Sequence, residues 1–260
     1  RKKWSSNTKS NIYNVKVADN FYVKKEYKKF LVDSIANSKM QPRKRMVYSD
    51  LGYILISEVI NKITGETLDV FADSIFYYKM GLYNTTFNPL NKFDKNRIAP
   101  TENDNLFRHQ LVQGYVHDEN AGLLGGVSGH AGLFSTAKEV GTIMQMLLNG
   151  GNYGNKQYIS QGVVNQFTSV QYREDDNRKG CGFDKPGLKE NNPVCEGASK
   201  SSFGHTGFTG IYAWADPDKK LVYVFVSNRV YPDASNRKIS RYDIRTRIHQ
   251  CFYNILEDSL

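Results

Sequence analysis

The apolar positions of the chain recur at helical spacing in four places. The first stretch follows Ser49-Asp50 and closes at Gly65, and its inward positions are Leu51, Ile54, Leu55, Val59 and Ile63. Residues three and four apart share one helix face, and Ser or Asp before a helix and Gly after it are common boundaries. The pattern predicts an amphipathic helix between Asp50 and Gly65.

Three further helices follow from the same spacing. The second opens at Thr67 and ends near Gly81, with Leu68, Phe71, Ala72, Ile75 and Phe76 inward. The third begins at Thr136-Ala-Lys-Glu139, a capping box, and stops at Gly150-Gly151. The fourth runs from about Ser240 to Glu257, and we expect it to pack on a sheet through the stripe of Ile244, Ile248, Phe252 and Ile255.

The sheet signal lies just before the last helix. GIYAWADPDKKLVYVFVSN, residues 210–228, holds two apolar runs joined by the turn sequence Asp-Pro-Asp-Lys, and FGHTGFTG, residues 203–210, leads into the first run. The Pro- and Asn-rich segments 84–105 and 171–200 predict long surface connections. The fold class is therefore α/β, with an antiparallel sheet flanked by helices and a mainly helical subdomain.

Charge and cysteine content exclude several function classes. Residues 1–50 carry 13 Lys or Arg against 4 Asp or Glu, and the basic residues cluster at 24–29 and 42–45. No nucleic-acid-binding motif accompanies these clusters. A solvated basic face is therefore favoured, and no nucleic-acid partner is expected. No run of about 18 apolar residues predicts a membrane span. Zinc is not expected, because Cys181, Cys195 and Cys251 have neither CxxC spacing nor a nearby set of histidines. A disulfide between Cys181 and Cys195 and two buried free thiols both remain open.

Three short stretches place small or polar residues where a helix or strand begins: YSD at 48–50, GGVSGHAGLFST at 125–136 and HTG at 205–207. With their surroundings they read YSDLGYILISEVINKITG, HDENAGLLGGVSGHAGLFSTAKEV, FGHTGFTGIYAWADP and VFVSNRVYPD, in this order over about residues 45–255. This set resembles class C β-lactamases, penicillin-binding DD-peptidases and related esterases. It is most similar to a bacterial subgroup in which such a domain follows a glycoside hydrolase family 3 domain.

The resemblance implies a β-lactamase/transpeptidase-like fold in one domain over residues 1–260. The helical region would span about 20–170, and the sheet with the closing helix about 178–260. The family forms an acyl-enzyme on serine, using Ser-x-x-Lys, Tyr-x-Asn and Lys/His-Thr-Gly motifs. No metal or cofactor is implied.

Tyr48 matches the tyrosine of Tyr-x-Asn, which relays protons in the family; the alternative is a tyrosine packed at a helix start. Asp50 stands where the family has Asn. An amide both accepts and donates hydrogen bonds, whereas a carboxylate only accepts, so this departure puts penicillin-like substrate binding in doubt. The alternative interpretation is that Asp50 caps the helix.

The remaining implied site residues follow the later motifs. His205 stands where β-lactamases usually carry Lys, which fits DD-peptidases and esterases better, or it is an ordinary surface histidine. His205 and Thr206 are expected to face the cleft, Gly207 to let substrate lie close to the strand, and the Phe208 N–H to donate to the oxyanion. Further substrate contacts are expected from His130, Ala131, Asn228 and Arg229.

The resemblance does not extend to the nucleophilic serine of the family. Ser-x-x-Lys occurs at Ser6 and Ser235, but neither opens an apolar helix ahead of Tyr48 at a long separation. We expect the nucleophile segment to lie before Arg1, which would make the chain N-terminally incomplete. Alone it would then leave sheet and helical core uncovered, to be filled by an N-terminal fragment, a fused glycoside hydrolase domain or a second copy.

Two functions remain as hypotheses. The first is part of a serine hydrolase acting on an amide or ester, with a small-molecule or peptidoglycan-derived substrate, in the periplasm or cell envelope of a bacterium as the resemblance implies. The second is a catalytically inactive module that keeps the cleft to bind cell-wall glycopeptide or a partner domain. Asp50 and the absent serine favour the second.

Overall fold

The computed structural model describes residues 3–40, 47–172, 179–187 and 194–258. The basic cluster at 42–45 lies outside them. The described residues form two compact units: the first holds 3–40, 47–135 and 230–234, and the second holds 136–172, 179–187, 194–229 and 235–258. The single domain over residues 1–260 stays a prediction.

The first unit opens with a small antiparallel sheet that the sequence pattern did not predict. Strands β1 (Ser5–Ser6), β2 (Tyr13–Ala18) and β3 (Phe21–Lys24) are ordered β1-β3-β2. Their inward side chains pack against Tyr27 of helix α1 (Tyr27–Ala36) and against Phe107. The basic N-terminal region therefore surrounds an apolar core of its own.

Helix α2 (Leu51–Thr64) forms where predicted and ends at Gly65, whose φ of +76° is a left-handed conformation that suits glycine. Its predicted inward face is largely wrong. Ile54 is 2% exposed, but Val59 and Ile63 are 52% and 79% exposed. The amphipathic pattern is present, and in the described part of the chain most of that apolar face is open to solvent.

The second predicted helix changes form along its length. Helix α3 (Leu68–Ala72) continues as a π-helical turn (Asp73–Tyr77) and the segment ends at Gly81, with a φ of +74°. Single π-helical turns are rare and occur often at functional sites.

The expected surface connection over 84–105 is wrong. It contains strands β4 (Thr86–Phe87) and β5 (Pro100–Asp104) and the 3-10 turns Pro89–Asn91 and Lys95–Arg97. Thr85 and Asp104 are buried. Buried polar side chains need hydrogen-bond partners, and Thr85 Oγ1 lies 2.7 Å from Ser135 Oγ. The first unit is completed by β6 (Gln110–Gln113), α4 (Glu119–Leu123) and β7 (Leu133–Phe134), where β4 pairs with β7 and β5 with β6.

The second unit places a helix on each face of the predicted antiparallel sheet. Strands β10 (Phe203–Thr206), β11 (Tyr212–Asp216) and β12 (Leu221–Phe225) lie in that order. Helix α5 (Ala137–Leu148), capped by Thr136 Oγ1 as predicted, packs with Phe203 and Ala215 on one face. Tyr212 and Trp214 lie on the other face, with the closing helix. The unit also contains β8 (Asn152–Tyr153), β9 (Lys156–Gln157) and α6 (Gln161–Thr168).

The fourth predicted helix is two helices, α7 (Lys238–Arg241) and α8 (Ile244–Asp258), separated at Asp243, whose φ is +47°. The predicted aliphatic stripe does not pack on the sheet: Ile248, Phe252 and Ile255 are 38%, 43% and 60% exposed. His249 and Tyr253 pack there instead. The His249 ring stacks on Tyr223 at 4.4 Å, and Tyr253 Oη donates to Asp216 Oδ2 at 2.7 Å, contacts that an aliphatic stripe has no means to make.

All three cysteines are free thiols, with Cys195 buried and Cys181 and Cys251 exposed. The disulfide left open between Cys181 and Cys195 is not formed. Among the described residues, no helix has the length and apolar content needed to cross a membrane.

Candidate active site

Tyr48 and Asp50 lie at the start of α2. The Tyr48 side chain is 67% exposed, so it is not the packed tyrosine of the alternative interpretation. Asp50 occupies the position before the helix, but its side chain makes no capping hydrogen bond, and Ser49 Oγ instead accepts the Leu51 N–H at 3.3 Å. The carboxylate beside Tyr48 therefore does not serve as the helix cap.

His205 and Thr206 are consecutive residues of β10. Side chains alternate along a strand, so His205 shares the α5 face with Phe203, whereas Thr206 points to the opposite face. A ligand meets both side chains only at the edge of the strand. His205 Nδ1 lies 2.8 Å from the Thr206 carbonyl. Because a carbonyl only accepts, His205 Nδ1 carries a proton and donates it to this carbonyl.

The outer edge of β10 has a structural reason for its small residues. A Cβ on Gly204 would lie 2.2 Å from the Ala213 carbonyl oxygen and 2.3 Å from Trp214, so this position requires glycine. Gly204 also exchanges backbone hydrogen bonds of 2.7 and 3.1 Å with Asp184 on the outer edge. Backbone groups two residues apart on a strand point the same way, so those of Thr206 face this edge too.

The turn after β10 contains Gly207 and Phe208, and the structure joins it to Arg229. Arg229 Nε donates to the Phe208 carbonyl at 2.8 Å, and the guanidinium lies 4.4 Å from the centre of the Phe208 ring, which is 65% exposed. Asn228 is the half-buried residue beside Arg229. The cation is thus held beside the peptide predicted to help the oxyanion, an association that the sequence did not predict.

His130 and Ala131 line a cavity of about 360 Å³ in the first unit, together with one face of α2 and with Tyr77 and Phe87. His130 Nδ1 lies 2.8 Å from Ser128 Oγ, and Nε2 lies 2.8 Å from Asp118 Oδ1. Sequence reasoning missed Asp118 and Ser128. Both lie in the quoted HDENAGLLGGVSGHAG stretch, but residue order alone does not show that the two contact one histidine.

Burial acts against the ionised form of Asp118, and hydrogen bonds act for it. Burial alone would raise the pKa of this carboxyl, but the hydrogen bonds from His130 and from the Ala121 N–H outweigh it and hold the pKa below its usual value. Asp118 is therefore an anion at neutral pH, and it orients the imidazole by accepting the Nε2 proton.

Neither Ser-x-x-Lys occurrence has the geometry of a nucleophile. Ser6 lies in β1, where its hydroxyl donates to the Thr8 carbonyl at 3.1 Å, and Ser235 lies in an exposed turn. A serine and lysine three residues apart face each other on a helix, and neither serine is in one.

The sequence matches the family model for beta-lactamase over residues 6–247. The chain belongs to the beta-lactamase family. This beta-lactamase-family chain is 36% identical over 213 residues to a Salmonella gallinarum protein named "Putative D-alanyl-D-alanine carboxypeptidase", covering 77% of this chain and 49% of the relative. It is 37% identical over 202 residues to an Escherichia coli O157:H7 protein of the same name, covering 73% and 46%. The chain thus spans about half the length of the curated relatives it matches.

Solved structures share the beta-lactamase fold at low identity. A β-lactamase from Mycobacterium bovis has a TM-score of 0.57 at 18% identity, covering 84% of this chain and 66% of its own. A penicillin-binding protein homologue from Caulobacter crescentus has a TM-score of 0.56 at 16% identity, and the match covers 78% of this chain and 59% of the homologue. A mutant simvastatin synthase from Aspergillus terreus has a TM-score of 0.61 at 16% identity, and the match covers 83% of this chain and 56% of the synthase. The predicted fold class is confirmed, as is membership of the beta-lactamase serine hydrolase superfamily.

Proposed function

We propose that this chain is part of a serine hydrolase that cleaves an amide or ester through an acyl-enzyme. The serine Oγ attacks the carbonyl carbon, Tyr48 relays its proton to the leaving group, and the Phe208 N–H donates to the oxyanion. The serine comes from polypeptide other than these 260 residues. The observation that carries the proposal is the exposed Tyr48 phenol beside an Asp50 carboxylate that does not cap its helix.

The substrate class and the compartment belong to the proposal. We propose a peptidoglycan-derived or similar small substrate, which the relatives' name "Putative D-alanyl-D-alanine carboxypeptidase" supports, and a place in the periplasm or cell envelope, which the family resemblance implies. The subgroup that follows glycoside hydrolase family 3 domains is also kept as a proposal.

Open apolar surfaces support a polypeptide partner. In the first unit the exposed face of α2 includes Ile56, Val59 and Ile63. In the second unit the Ile248-Phe252-Ile255 stripe is exposed, and β12 pairs only with β11 among the described strands. Large apolar patches and open strand edges usually bind another chain. We propose that an N-terminal fragment, a fused glycoside hydrolase domain or a second copy covers them.

Intact mass after incubation with a fluorophosphonate tests the hydrolase proposal on the natural gene product that contains this chain. We expect a mass gain on a single serine outside residues 1–260. A gene product that never gains mass under fluorophosphonate or penicillin overturns the hydrolase proposal. That outcome favours the second candidate, an inactive module that binds cell-wall glycopeptide or a partner domain, which the Asp50 departure supports.

Asp50→Asn is expected to speed acylation by penicillin about tenfold in the natural gene product. The amide restores a donor to the substrate carbonyl, and one hydrogen bond contributes roughly 1–1.5 kcal/mol. Stopped-flow or quenched-flow mass spectrometry measures the rate, and Asp50→Ala, which has no donor, is the matched control. An Asn variant no faster than the Ala variant would show that Asp50 does not limit penicillin binding.

A further inference from the structure

Asp118, His130 and Ser128 form a continuous hydrogen-bonded chain in the first unit. Asp118 is ionised, so the imidazole Nε2 donates to it, and in the Nε2–H tautomer Nδ1 accepts from the Ser128 hydroxyl. Ser128 is 3% exposed and so is the His130 side chain, whereas Asp118, at the outer end, is 36% exposed. Hydrogen bonds in such a buried setting are stronger than in water.

The order carboxylate, imidazole, hydroxyl is that of a nucleophilic triad, but the surroundings do not fit nucleophilic attack. The N–H that follows the serine is the donor an oxyanion would need. Here the Gly129 N–H donates to Ser57 Oγ at 2.7 Å. Because the Ser128 hydroxyl is buried and this donor is occupied, the chain of hydrogen bonds holds the loop in place instead.

The loop that it holds lies directly on helix α2. Besides the Gly129 bond to Ser57, the Ser57 hydroxyl donates to the Tyr53 carbonyl at 3.2 Å. A Cβ on Gly129 would lie 2.4 Å from the Tyr53 oxygen, so only glycine allows this approach. The contact falls on the first two turns of α2, next to Tyr48 and Asp50.

Helix α2 has little other support at this end. Its buried residues are Ile54 and Ser57, and Leu51 and Ile56 are 44% and 52% exposed. Few apolar contacts therefore fix the helix start in the described chain, and Ser57, one of the two buried residues, is the one that the loop contacts.

We propose that Asp118, His130 and Ser128 are positioning residues that hold the 128–131 loop against α2 and so fix the helix start that carries Tyr48 and Asp50. The effect of this positioning on catalysis rests on the proposed function, whereas the contact between the loop and α2 does not.

Amide hydrogen exchange of the 260-residue chain tests the proposal. Ser128→Ala and His130→Ala are expected to speed exchange at residues 54–58 at least tenfold and to leave residues 137–148 of α5 unchanged. Asp118→Asn, which keeps an acceptor but removes the charge, is expected to give a smaller increase. Ser74→Ala is the matched control, because the Ser74 hydroxyl also makes a hydrogen bond within the first unit, but its partner is the Phe71 carbonyl at 3.1 Å and not a residue of the Asp118-His130-Ser128 chain.

Imidazole ¹⁵N spectra supply a second readout that general destabilisation would not mimic. The wild-type chain should show His130 as a single Nε2–H tautomer, and Asp118→Asn should reduce that preference. The proposal is overturned by unchanged exchange at 54–58 in the Ser128 and His130 variants, by an equal increase in Ser74→Ala, or by a fluorophosphonate adduct on Ser128. If the exchange effect appears while the gene product is never acylated, only the proposed hydrolase function falls.

Discussion

Arg108→Met is expected to destabilise the first unit by about 3–5 kcal/mol. The Arg108 side chain is fully buried and donates to Asp104 at 2.8 Å, to Glu102 at 2.7 Å, and to the carbonyls of Val116 and His117 at 2.6 and 3.0 Å. Methionine fills similar volume but removes the guanidinium from the Asp104 and Glu102 carboxylates and leaves the two carbonyls without this donor. Breaking one side of a buried ion pair costs far more than losing a surface pair.

Tryptophan fluorescence isolates the first unit in urea unfolding, because Trp4 packs on its core while the other tryptophan, Trp214, belongs to the second. The measurement uses a Trp214→Phe background. Arg97→Met is the control, since Arg97 is exposed and should change stability by less than about 0.5 kcal/mol. A loss below about 1 kcal/mol in Arg108→Met would show that the buried network contributes little.

The second unit is expected to lose stability as pH falls from 6.5 to about 4, because of His249. Burial lowers the pKa of His249 from 6.5 to about 4, against a smaller opposite effect of Asp216. The folded unit therefore binds this proton more weakly than the unfolded chain. Its contribution is complete above pH 6.5 and disappears as pH approaches 4, a loss on the order of 3 kcal/mol for this 1%-exposed side chain.

Urea unfolding followed by Trp214 in a Trp4→Phe background measures this loss. His249→Gln has no proton to gain in this range, so its stability curve should be flat by comparison between pH 6.5 and 4. Asp104, in the first unit, contributes to stability in a lower pH range. Burial would raise the pKa of this carboxyl, but hydrogen bonds from Arg108 and from backbone N–H groups outweigh burial and lower the pKa to about 2. The stability that Asp104 contributes is therefore lost as pH falls below 3.8. A His249→Gln curve parallel to wild type would contradict the assignment.

The sequence predicted elements best where a regular pattern and a cap coincide. Helix α5 begins at the predicted Thr136 cap and helix α2 ends at Gly65, because these boundaries depend on local chemistry. Which face is buried depends on tertiary contacts. The aliphatic stripe of α8 is exposed, since His249 and Tyr253 meet aromatic rings and a carboxylate on the sheet that spacing alone does not reveal.

The N-terminal sheet was missed because charge obscured its pattern. YNVKVA alternates Tyr13, Val15 and Val17 with polar residues, and Asp19-Asn20 forms the turn, with Asn20 at a φ of +51°. The alternation was a strand signal that the surrounding lysines hid. The site residues lie mostly in the motifs that the resemblance marked. The contacts of His130 with Ser128 and Asp118, and of Arg229 with Phe208, join side chains by tertiary folding, so sequence motifs did not show them.

The acylation rate of Tyr48→Phe in the natural gene product tests the proposed role of Tyr48 as the proton relay. Removing a general acid–base typically slows a reaction by about 10²–10⁴-fold. We predict a fall of at least about a hundredfold in the rate of acylation by a fluorophosphonate. Stability should stay unchanged, because Tyr48 is 67% exposed, and Tyr78→Phe, at 66% exposure in the same unit, should leave the rate unaltered. A Tyr48→Phe rate within about twofold of wild type is a much smaller change than the loss of a general acid–base causes, and it would exclude Tyr48 as the proton relay.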